Sequence, residues 1–212
     1  MKNVVTILGA GFSKSFNDGM PLLNDLTSII SKLDISSEYN SKLNFEELLT
    51  LLSINSSWKI DQEKHRDLAL YHEIIVNICN YVYQKEYLAF QKNIPNWIKD
   101  FVTIAHNYQM PIITFNYDTI IERVALSLLE FKSDSNPEYK EVLNLFNLYK
   151  APIASINSRY NFDWSVTEQS TFHLLKVHGS LNWYTNEDNR GSIFYLPIYK
   201  DNPDYKNTWV CS

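Results

Sequence analysis

The stretch V-V-T-I-L-G-A-G, residues 4–11, joins a run of β-branched residues to two closely spaced glycines. A short apolar run that ends in glycine is typical of a buried strand in a parallel sheet. Three of the five glycines of the chain, Gly9, Gly11 and Gly19, lie close together in this part of the sequence. Glycine is favoured where the backbone turns or where a ligand approaches it closely. We therefore predict a strand, a turn at 9–11 that leads into a helix, and a ligand such as a phosphate beside it.

Two later segments show the same change from apolar to polar residues. Residues 111–118, P-I-I-T-F-N-Y-D, predict a strand that ends in polar side chains and is followed by a helix over 119–131. Residues 172–177 predict a third strand, which runs into the H-G-S segment at 178–180. Three further predictions complete this half of the chain: a turn at 133–137, a helix over 138–149 and a last strand at 193–196.

The region between the first and second predicted strands is predicted to be helical. Apolar residues recur at helical spacing after Pro21, over 45–52, over 68–83 and after Pro95. This region is much longer than a single crossover helix requires. We therefore expect a helical insertion at about 40–107, which forms a layer or subdomain beside the sheet.

The order of predicted elements is strand, helices, strand, helix, strand, which is typical of an α/β protein. We predict a Rossmann-like, doubly wound parallel sheet within a single domain over residues 1–212. In such sheets, ligands bind outside the carboxyl ends of the strands. The three clusters that follow the predicted strands should therefore meet at one edge of the sheet.

Composition and charge exclude several classes of function. The 212 residues are 45% hydrophobic and carry a net charge of −5, so no basic face indicates direct nucleic-acid binding. No apolar run approaches the roughly 20 residues of a membrane span, and the start of the chain fits a strand and turn better than a signal peptide. Cys79 and Cys211 form no C-x-x-C pair, so we expect no metal site. The expected setting is a reduced, cytoplasmic one.

Each of the first two clusters has a chemical and a purely structural interpretation. The turn at 9–11 and Ser13 can offer backbone N–H groups and a hydroxyl to a pyrophosphate, or the turn can simply link a strand to a helix. Thr114, Asn116 and Asp118 lie on one side of a strand end, because side chains alternate along a strand. An amide and a carboxylate can recognise a carboxamide and position a water molecule. The alternative is that Asp118 caps the following helix.

The third cluster contains a histidine at the end of a strand. Histidine titrates near neutral pH, so His178 is a candidate general base. The alternative is a hydrogen-bonded histidine with a structural role. The other four histidines of the chain lie in helical or strand patterns without a companion motif, and we expect them to be structural.

Taken together and in this order, the segments G-A-G-x-S, G-M-P, T-F-N-Y-D and H-G-S resemble the motifs of the sirtuin family. The chain looks most like the bacterial sirtuin-like branch of anti-phage defence, and N-F-E-E-L-L at 44–49 is also similar to that branch. The resemblance covers the chain from about residue 4 to residue 183. It implies an NAD hydrolase that cleaves the nicotinamide–ribose bond to give nicotinamide and ADP-ribose. It further implies a defence effector that acts by depleting NAD.

The resemblance also implies a role for each matching residue. Asn116 would hold the catalytic water or the nicotinamide ribose, Asp118 would read the carboxamide, and His178 would be the general base. The residues implied to bind the dinucleotide are Gly9, Ala10, Gly11, Ser13, Gly19, Met20, Pro21, Thr114, Asn116, Asp118, Gly179 and Ser180. NAD is then the substrate and no metal takes part. The implied partners are further copies of this chain or another protein of a defence complex.

The chain departs from the family pattern in two respects. The four-cysteine zinc module of protein-deacylating sirtuins cannot be built here, and Leu22-Leu23-Asn24 replaces the acidic, phenylalanine and arginine residues that follow G-I-P in those enzymes. Both differences argue against deacylation. The family fold also continues past H-G with further strands and a G-x-S turn, which we expect this chain to lack. It is then a piece of an assembly, a fragment or a degenerate version of the fold.

These departures keep three functional hypotheses open. The first is an NAD-consuming enzyme, the second is a non-catalytic sensor of NAD or ADP-ribose, and the third is a structural subunit that retains the pocket. The choice between NAD and NADP also stays open, because no acidic residue ends a clear second strand where it would bind the ribose 2′-hydroxyl.

Overall fold

The structure is a computed structural model, which describes residues 4–30, 43–54, 59–132, 140–143, 145–149, 153–155, 170–185 and 193–195. The helices are α1 Ala10–Phe16, α2 Leu23–Ile30, α3 Phe45–Ser53, α4 Asp61–Phe90, α5 Asn96–Asn107, α6 Ile120–Leu128 and α7 Leu145–Tyr149. The strands are β1 Thr6–Leu8, β2 Ile112–Thr114, β3 Glu130–Lys132, β4 Lys140–Val142, β5 Ile153–Ser155, β6 Leu174–Lys176, β7 Trp183–Thr185 and β8 Ile193–Tyr195. The described chain is mixed α/β and mostly helical.

Three strands form a small parallel sheet in the order β1-β2-β6. Leu8 lies opposite Thr114, and Thr114 lies opposite Lys176, so the three strands end at the same level. The three strands that the apolar runs predict are therefore confirmed as parallel neighbours. The segments that follow them leave the sheet at one edge, as expected for its carboxyl end.

The two faces of this sheet differ in how well they are covered. Leu8, Ile112 and Leu174 belong to the buried core, whereas Ile7 and Leu175 remain 67% and 46% exposed. A doubly wound sheet carries helices on both faces. The parallel sheet is confirmed, but the described residues do not show the doubly wound arrangement.

The first helix begins earlier than the sequence predicts. Gly9 has an extended backbone and precedes α1, whereas Ala10 and Gly11 already lie within the helix. The turn predicted at 9–11 is therefore too long, because the single residue Gly9 links β1 to α1. A Cβ atom at Gly9 or Gly11 would meet no atom within 4 Å, so these glycines leave open space beside the backbone.

Helices fill the described part of the region between β1 and β2, as predicted. Helix α3 begins with a capping box, in which Asn44 and Glu47 each accept the other's backbone N–H, at 3.0 and 2.9 Å. Helices α2 and α3 pack against α4, whose 30 residues span about 45 Å. Helix α5 packs instead against α6, and its Trp97 and Phe101 contact the ring of Phe12 in α1. The insertion is thus divided between two sets of neighbours.

A pair of antiparallel strands lies where the sequence predicts helix. The helix predicted over 119–131 ends at Leu128, and β3 then pairs antiparallel with β4. The helix predicted over 138–149 is correspondingly reduced to α7. The segment E-F-K alternates with the two-residue period of a strand, but K-E-V does not, and three residues are too few to be distinguished from helical periodicity. The turn predicted at 133–137 lies outside the described residues.

The strands β5, β7 and β8 form a second three-stranded sheet in the order β5-β8-β7. Strand β8 pairs parallel with β5 and antiparallel with β7. The strand predicted at 193–196 therefore exists, but it does not extend the β1-β2-β6 sheet. In the described parts of the chain, no helix combines the length and apolar content that crossing a bilayer requires.

Candidate functional site

Three polar side chains from separate parts of the chain form one hydrogen-bonded cluster at the carboxyl edge of the parallel sheet. Ser13 Oγ in α1 donates to Asp118 Oδ2 at 2.6 Å and accepts from Asn116 Nδ2 at 2.8 Å. Asn116 Nδ2 also donates to the carbonyl oxygen of Gly9 at 3.0 Å. None of the three side chains belongs to a residue more than 9% exposed. We call this group the Ser13/Asn116/Asp118 cluster.

The parallel strands β1 and β2 bring the cluster together. The Phe115 N–H donates to the carbonyl oxygen of Leu8 at 3.1 Å, which continues the strand pairing just beyond the end of β2. The Asn116 N–H then donates to Thr114 Oγ1 at 3.1 Å. This local bond is a side-chain-to-backbone turn of the kind that threonine favours. Thr114 thus holds the backbone of Asn116 in place, and Gly9 accepts a hydrogen bond from the Asn116 side chain through its carbonyl oxygen.

A pocket of about 130 Å³ opens beside the cluster. Its polar lining comes from Ser13, Asn116 and Asp118, with Glu46 of α3 and Tyr117. The apolar lining residues are Ala10, Met20, Pro21, Leu22, Leu23, Leu26, Phe45, Val82 and Phe115. Pockets for whole small molecules typically measure about 300–1,000 Å³. This pocket therefore suits one ring-sized part of a larger ligand.

Asp118 belongs to the cluster and also accepts a backbone hydrogen bond at the start of α6. Its Oδ1 accepts the Ile120 N–H at 3.3 Å, while its Oδ2 accepts from Ser13. The N-cap of α6 is Thr119, so the interpretation of Asp118 as the N-cap is wrong by one residue, although Asp118 does bond to the first residue of the helix. Burial raises the pKa of Asp118 to about 6, and the negative charge of Glu86 adds to this increase. The positive charge of Lys176 opposes it.

We expect the stability contribution of Asp118 to fall as the pH rises. Its folded pKa of about 6 lies above the ordinary value of 3.8, so the folded protein holds this proton more tightly than the unfolded chain does. The contribution is fully present below about pH 4 and is lost as the pH rises through about 6. At about 1.4 kcal/mol per pKa unit, the loss is on the order of 3 kcal/mol. Denaturant unfolding of the wild type and of Asp118→Asn, from pH 4 to 7, measures it.

The informative quantity is the difference between the unfolding free energies of the two proteins, because other titrating groups contribute equally to both. The wild type should lose stability relative to Asp118→Asn across this range. Asp100→Asn, at an exposed position in α5, should show no such trend. A wild-type minus Asp118→Asn difference that stays constant from pH 4 to 7 would contradict the raised pKa.

A buried ion pair lies next to the cluster. Lys176 at the end of β6 has a side chain that is 1% exposed, and its Nζ donates to the carbonyl oxygen of Asp118 and to Glu122 Oε1, the latter at 2.9 Å. Glu122 Oε1 also accepts from the Tyr149 hydroxyl at 3.0 Å. The pair therefore ties the end of β6 to the start of α6. This contact fixes the backbone at Asp118.

A second buried carboxylate reaches the same helix from α4. Glu86 is 1% exposed, and it accepts the Thr119 N–H at 2.7 Å, the Thr119 hydroxyl and the Arg123 Nε–H. The first N–H groups of a helix lack partners within the helix itself. Glu86 supplies a hydrogen-bond acceptor there from α4, which is distant in sequence. The position of α4 is therefore coupled to the position of the Ser13/Asn116/Asp118 cluster.

His178 lies beside the pocket and is not one of its lining residues. Its ring is exposed, with centroid distances of 5.4 Å to Phe115 and 6.0 Å to Tyr117, which both line the pocket. Gly179 adopts a left-handed conformation with φ of 82°, which favours glycine. This turn allows the Leu181 N–H to donate to the carbonyl oxygen of Tyr117 at 2.8 Å. The H-G-S segment is thus joined to the N-Y-D segment through the backbone.

The other residues proposed to bind a dinucleotide are divided between the pocket and its surroundings. Ala10, Met20 and Pro21 line the pocket. The predicted binding residues that do not line it are Gly9, Gly11, Gly19, Thr114, Gly179 and Ser180. Ser180 Oγ donates to Asn182 Oδ1 at 2.6 Å within a separate buried polar group. Gly19 closes a local turn, in which its N–H donates to Asn17 Oδ1 at 2.8 Å.

Several residues around this site were not among the predicted site residues. Glu46, Tyr117 and Phe115 line the pocket, while Glu86 and Lys176 bond to residues beside it. For the three lining residues a signal existed, since Glu46 belongs to the N-F-E-E-L-L segment and the two aromatic residues belong to T-F-N-Y-D. The buried Glu86 and Lys176 gave no local signal, because charged residues on helices and strands are usually exposed.

Neither protein-family models, nor curated proteins, nor solved structures yielded a match to this chain. In the described residues, His, Cys, Asp and Glu side chains form no group of three that could hold a metal ion. The absence of a metal requirement stays a prediction.

Proposed function

We propose that this chain hydrolyses NAD to nicotinamide and ADP-ribose. The observation that carries the proposal is the convergence of Ser13, Asn116 and Asp118 on one pocket at the carboxyl edge of the parallel sheet. This is the edge at which α/β proteins bind nucleotides. The pocket would hold the nicotinamide end, and the rest of the dinucleotide would extend along the open side of Gly9 and Gly11.

Asn116 is oriented for this role by its own hydrogen bonds. Its Nδ2 donates to Gly9 and to Ser13, so both amide hydrogens are used. Among the described residues, Oδ1 accepts no hydrogen bond, and it is the atom that a water or a ribose hydroxyl can reach. Asp118, held by Ser13, would bind the carboxamide of nicotinamide. Fixed orientation of this kind can lower a reaction barrier substantially.

The reaction breaks the bond between ribose C1′ and the pyridinium nitrogen. The bonding electrons leave with nicotinamide, which becomes neutral, and a water oxygen forms the new bond to C1′. His178 would accept the proton from that water. Positive charge builds up on the ribose in the transition state, so nearby carboxylates and amide oxygens stabilise it. We further propose that the chain has a Rossmann-like, doubly wound arrangement and that it acts with further copies of itself or with a defence-complex partner.

A second candidate function is a sensor that binds NAD or ADP-ribose without cleaving it. Two observations favour it: the polar groups of the cluster are largely bonded to one another, and the exposed His178 does not line the pocket. A sensor needs the pocket but not the base. Turnover distinguishes the two candidates.

We expect the purified chain, incubated with NAD, to release nicotinamide and ADP-ribose in equal amounts. Chromatographic quantification of both products over time measures the reaction, and Asn116→Ala is the matched inactive control. NAD binding without product would favour the sensor. Neither binding nor product at millimolar NAD would contradict both candidates.

A further inference from the structure

We propose that the pocket selects a flat aromatic ring that carries a positive charge, and that Glu46 is the residue that sets this preference. The identification of the ring as the pyridinium of NAD rests on the proposed function. The preference for charge rests on the pocket itself, and it is tested without any turnover.

The charge of the pocket lining has one sign. Its ionisable residues are Glu46, Tyr117 and Asp118, and none of the described lining residues is Lys, Arg or His. The nearby Lys176 acts on Asp118, but it lies outside the lining and its charge is balanced by its ion-pair partner Glu122 at 2.9 Å. A cation entering the pocket therefore meets carboxylates and no positively charged side chain among the described lining residues.

Glu46 is placed at the pocket by the start of α3. Its neighbours Asn44 and Glu47 form the capping box, whereas the Glu46 carboxylate makes no hydrogen bond among the described residues. Burial raises the pKa of Tyr117 to about 12, and the negative charge of Glu46 is the next largest cause. The Glu46 carboxylate thus acts electrostatically on the pocket wall.

Three aromatic side chains of the lining also favour a cationic ring. Phe45, Phe115 and Tyr117 all line the pocket. The faces of aromatic rings attract cations, and their flat surfaces pack against a planar ring. Carboxylates together with aromatic walls are the combination that recognises a cationic aromatic ring.

The preference has a consequence for the reaction. The nicotinamide ring is a cation in NAD and becomes neutral once the bond to ribose breaks. The same carboxylate therefore favours the substrate over the released product and over the reduced dinucleotide, whose dihydronicotinamide ring carries no charge. An anionic ring with a carboxylate in place of the carboxamide would be repelled.

The test compares N1-methylnicotinamide, a permanent cation, with neutral nicotinamide, by equilibrium binding to the wild type and to Glu46→Gln. We expect the wild type to prefer the cation by roughly five- to tenfold, as a carboxylate near a partly buried site provides. Glu46→Gln should lose most of this preference and keep its affinity for nicotinamide. Because Glu46 is exposed, raising the salt concentration should also weaken the preference in the wild type.

Glu73→Gln is the matched control, since Glu73 is an exposed glutamate of α4 outside the pocket lining. It should leave the preference unchanged. Equal affinity of the wild type for the two ligands, an unchanged preference in Glu46→Gln, or binding of neither ligand would overturn the inference. A charge preference without NAD cleavage would instead contradict the hydrolase and leave this inference standing, whereas cleavage without the preference would do the reverse.

Discussion

Replacing His178 by alanine is expected to slow NAD cleavage by about 10²–10⁴-fold, the range that a general base contributes. This variant separates catalysis from folding, because His178 is exposed. The imidazole is exposed and packs against the rings of Phe115 and Tyr117. Substitutions of exposed residues usually change the free energy of unfolding by about 0.5 kcal/mol or less. Turnover should therefore fall while the melting temperature and NAD affinity remain close to those of the wild type.

His173→Ala is the matched control for this experiment. His173 is also exposed, but it precedes β6 and lies at the opposite end of that strand from His178. Its replacement should leave turnover unchanged. A fully active and normally folded His178→Ala protein would end the catalytic assignment, and equal losses in the two variants would point to an indirect effect on the sheet.

The second large effect is expected in stability. Replacing Lys176 by methionine should lower the free energy of unfolding by about 3–5 kcal/mol. Both side chains of the Lys176–Glu122 pair are 1% exposed, so the variant leaves the Glu122 charge buried without its partner. The carbonyl oxygen of Asp118 loses its donor at the same time. Denaturant unfolding at neutral pH measures the change.

The double variant Lys176→Met with Glu122→Gln separates lost packing from an unpaired charge. Removing both charges should recover much of the stability, because the remaining glutamine can still accept from Tyr149. A single variant that costs less than about 1 kcal/mol would mean that Lys176 does not hold the start of α6. A double variant no more stable than the single one would assign the loss to packing.

The parallel sheet could be predicted because its signals are local. Each of β1, β2 and β6 is a short apolar run that changes abruptly to glycine or polar residues. The general rule that parallel strands share a carboxyl edge then brings Ser13 and Asn116 together, although 103 positions separate them in sequence. The central part of the candidate site was predictable for this reason.

The supporting residues could not be predicted in the same way. Glu86 bonds to Thr119 across 33 positions and Lys176 bonds to Glu122 across 54, and each lies on an element whose sequence gives no sign of a buried charge. Their burial depends on the packing of α4 and β6 against α6, which is a property of the tertiary structure. The antiparallel pair of β3 and β4 could not be predicted either, because the sequence of a three-residue strand is too short to show a two-residue period.

The most direct measurement of the central claim is a crystal structure of His178→Ala with NAD bound, because slow turnover should preserve the intact substrate. We expect the nicotinamide ring in the pocket between α1, α2 and α3, with its carboxamide within hydrogen-bonding distance of Asp118. The ribose should lie beside Asn116 Oδ1, and the pyrophosphate should run along Gly9 and Gly11. A dinucleotide bound elsewhere, with the Ser13/Asn116/Asp118 pocket empty, would contradict the account.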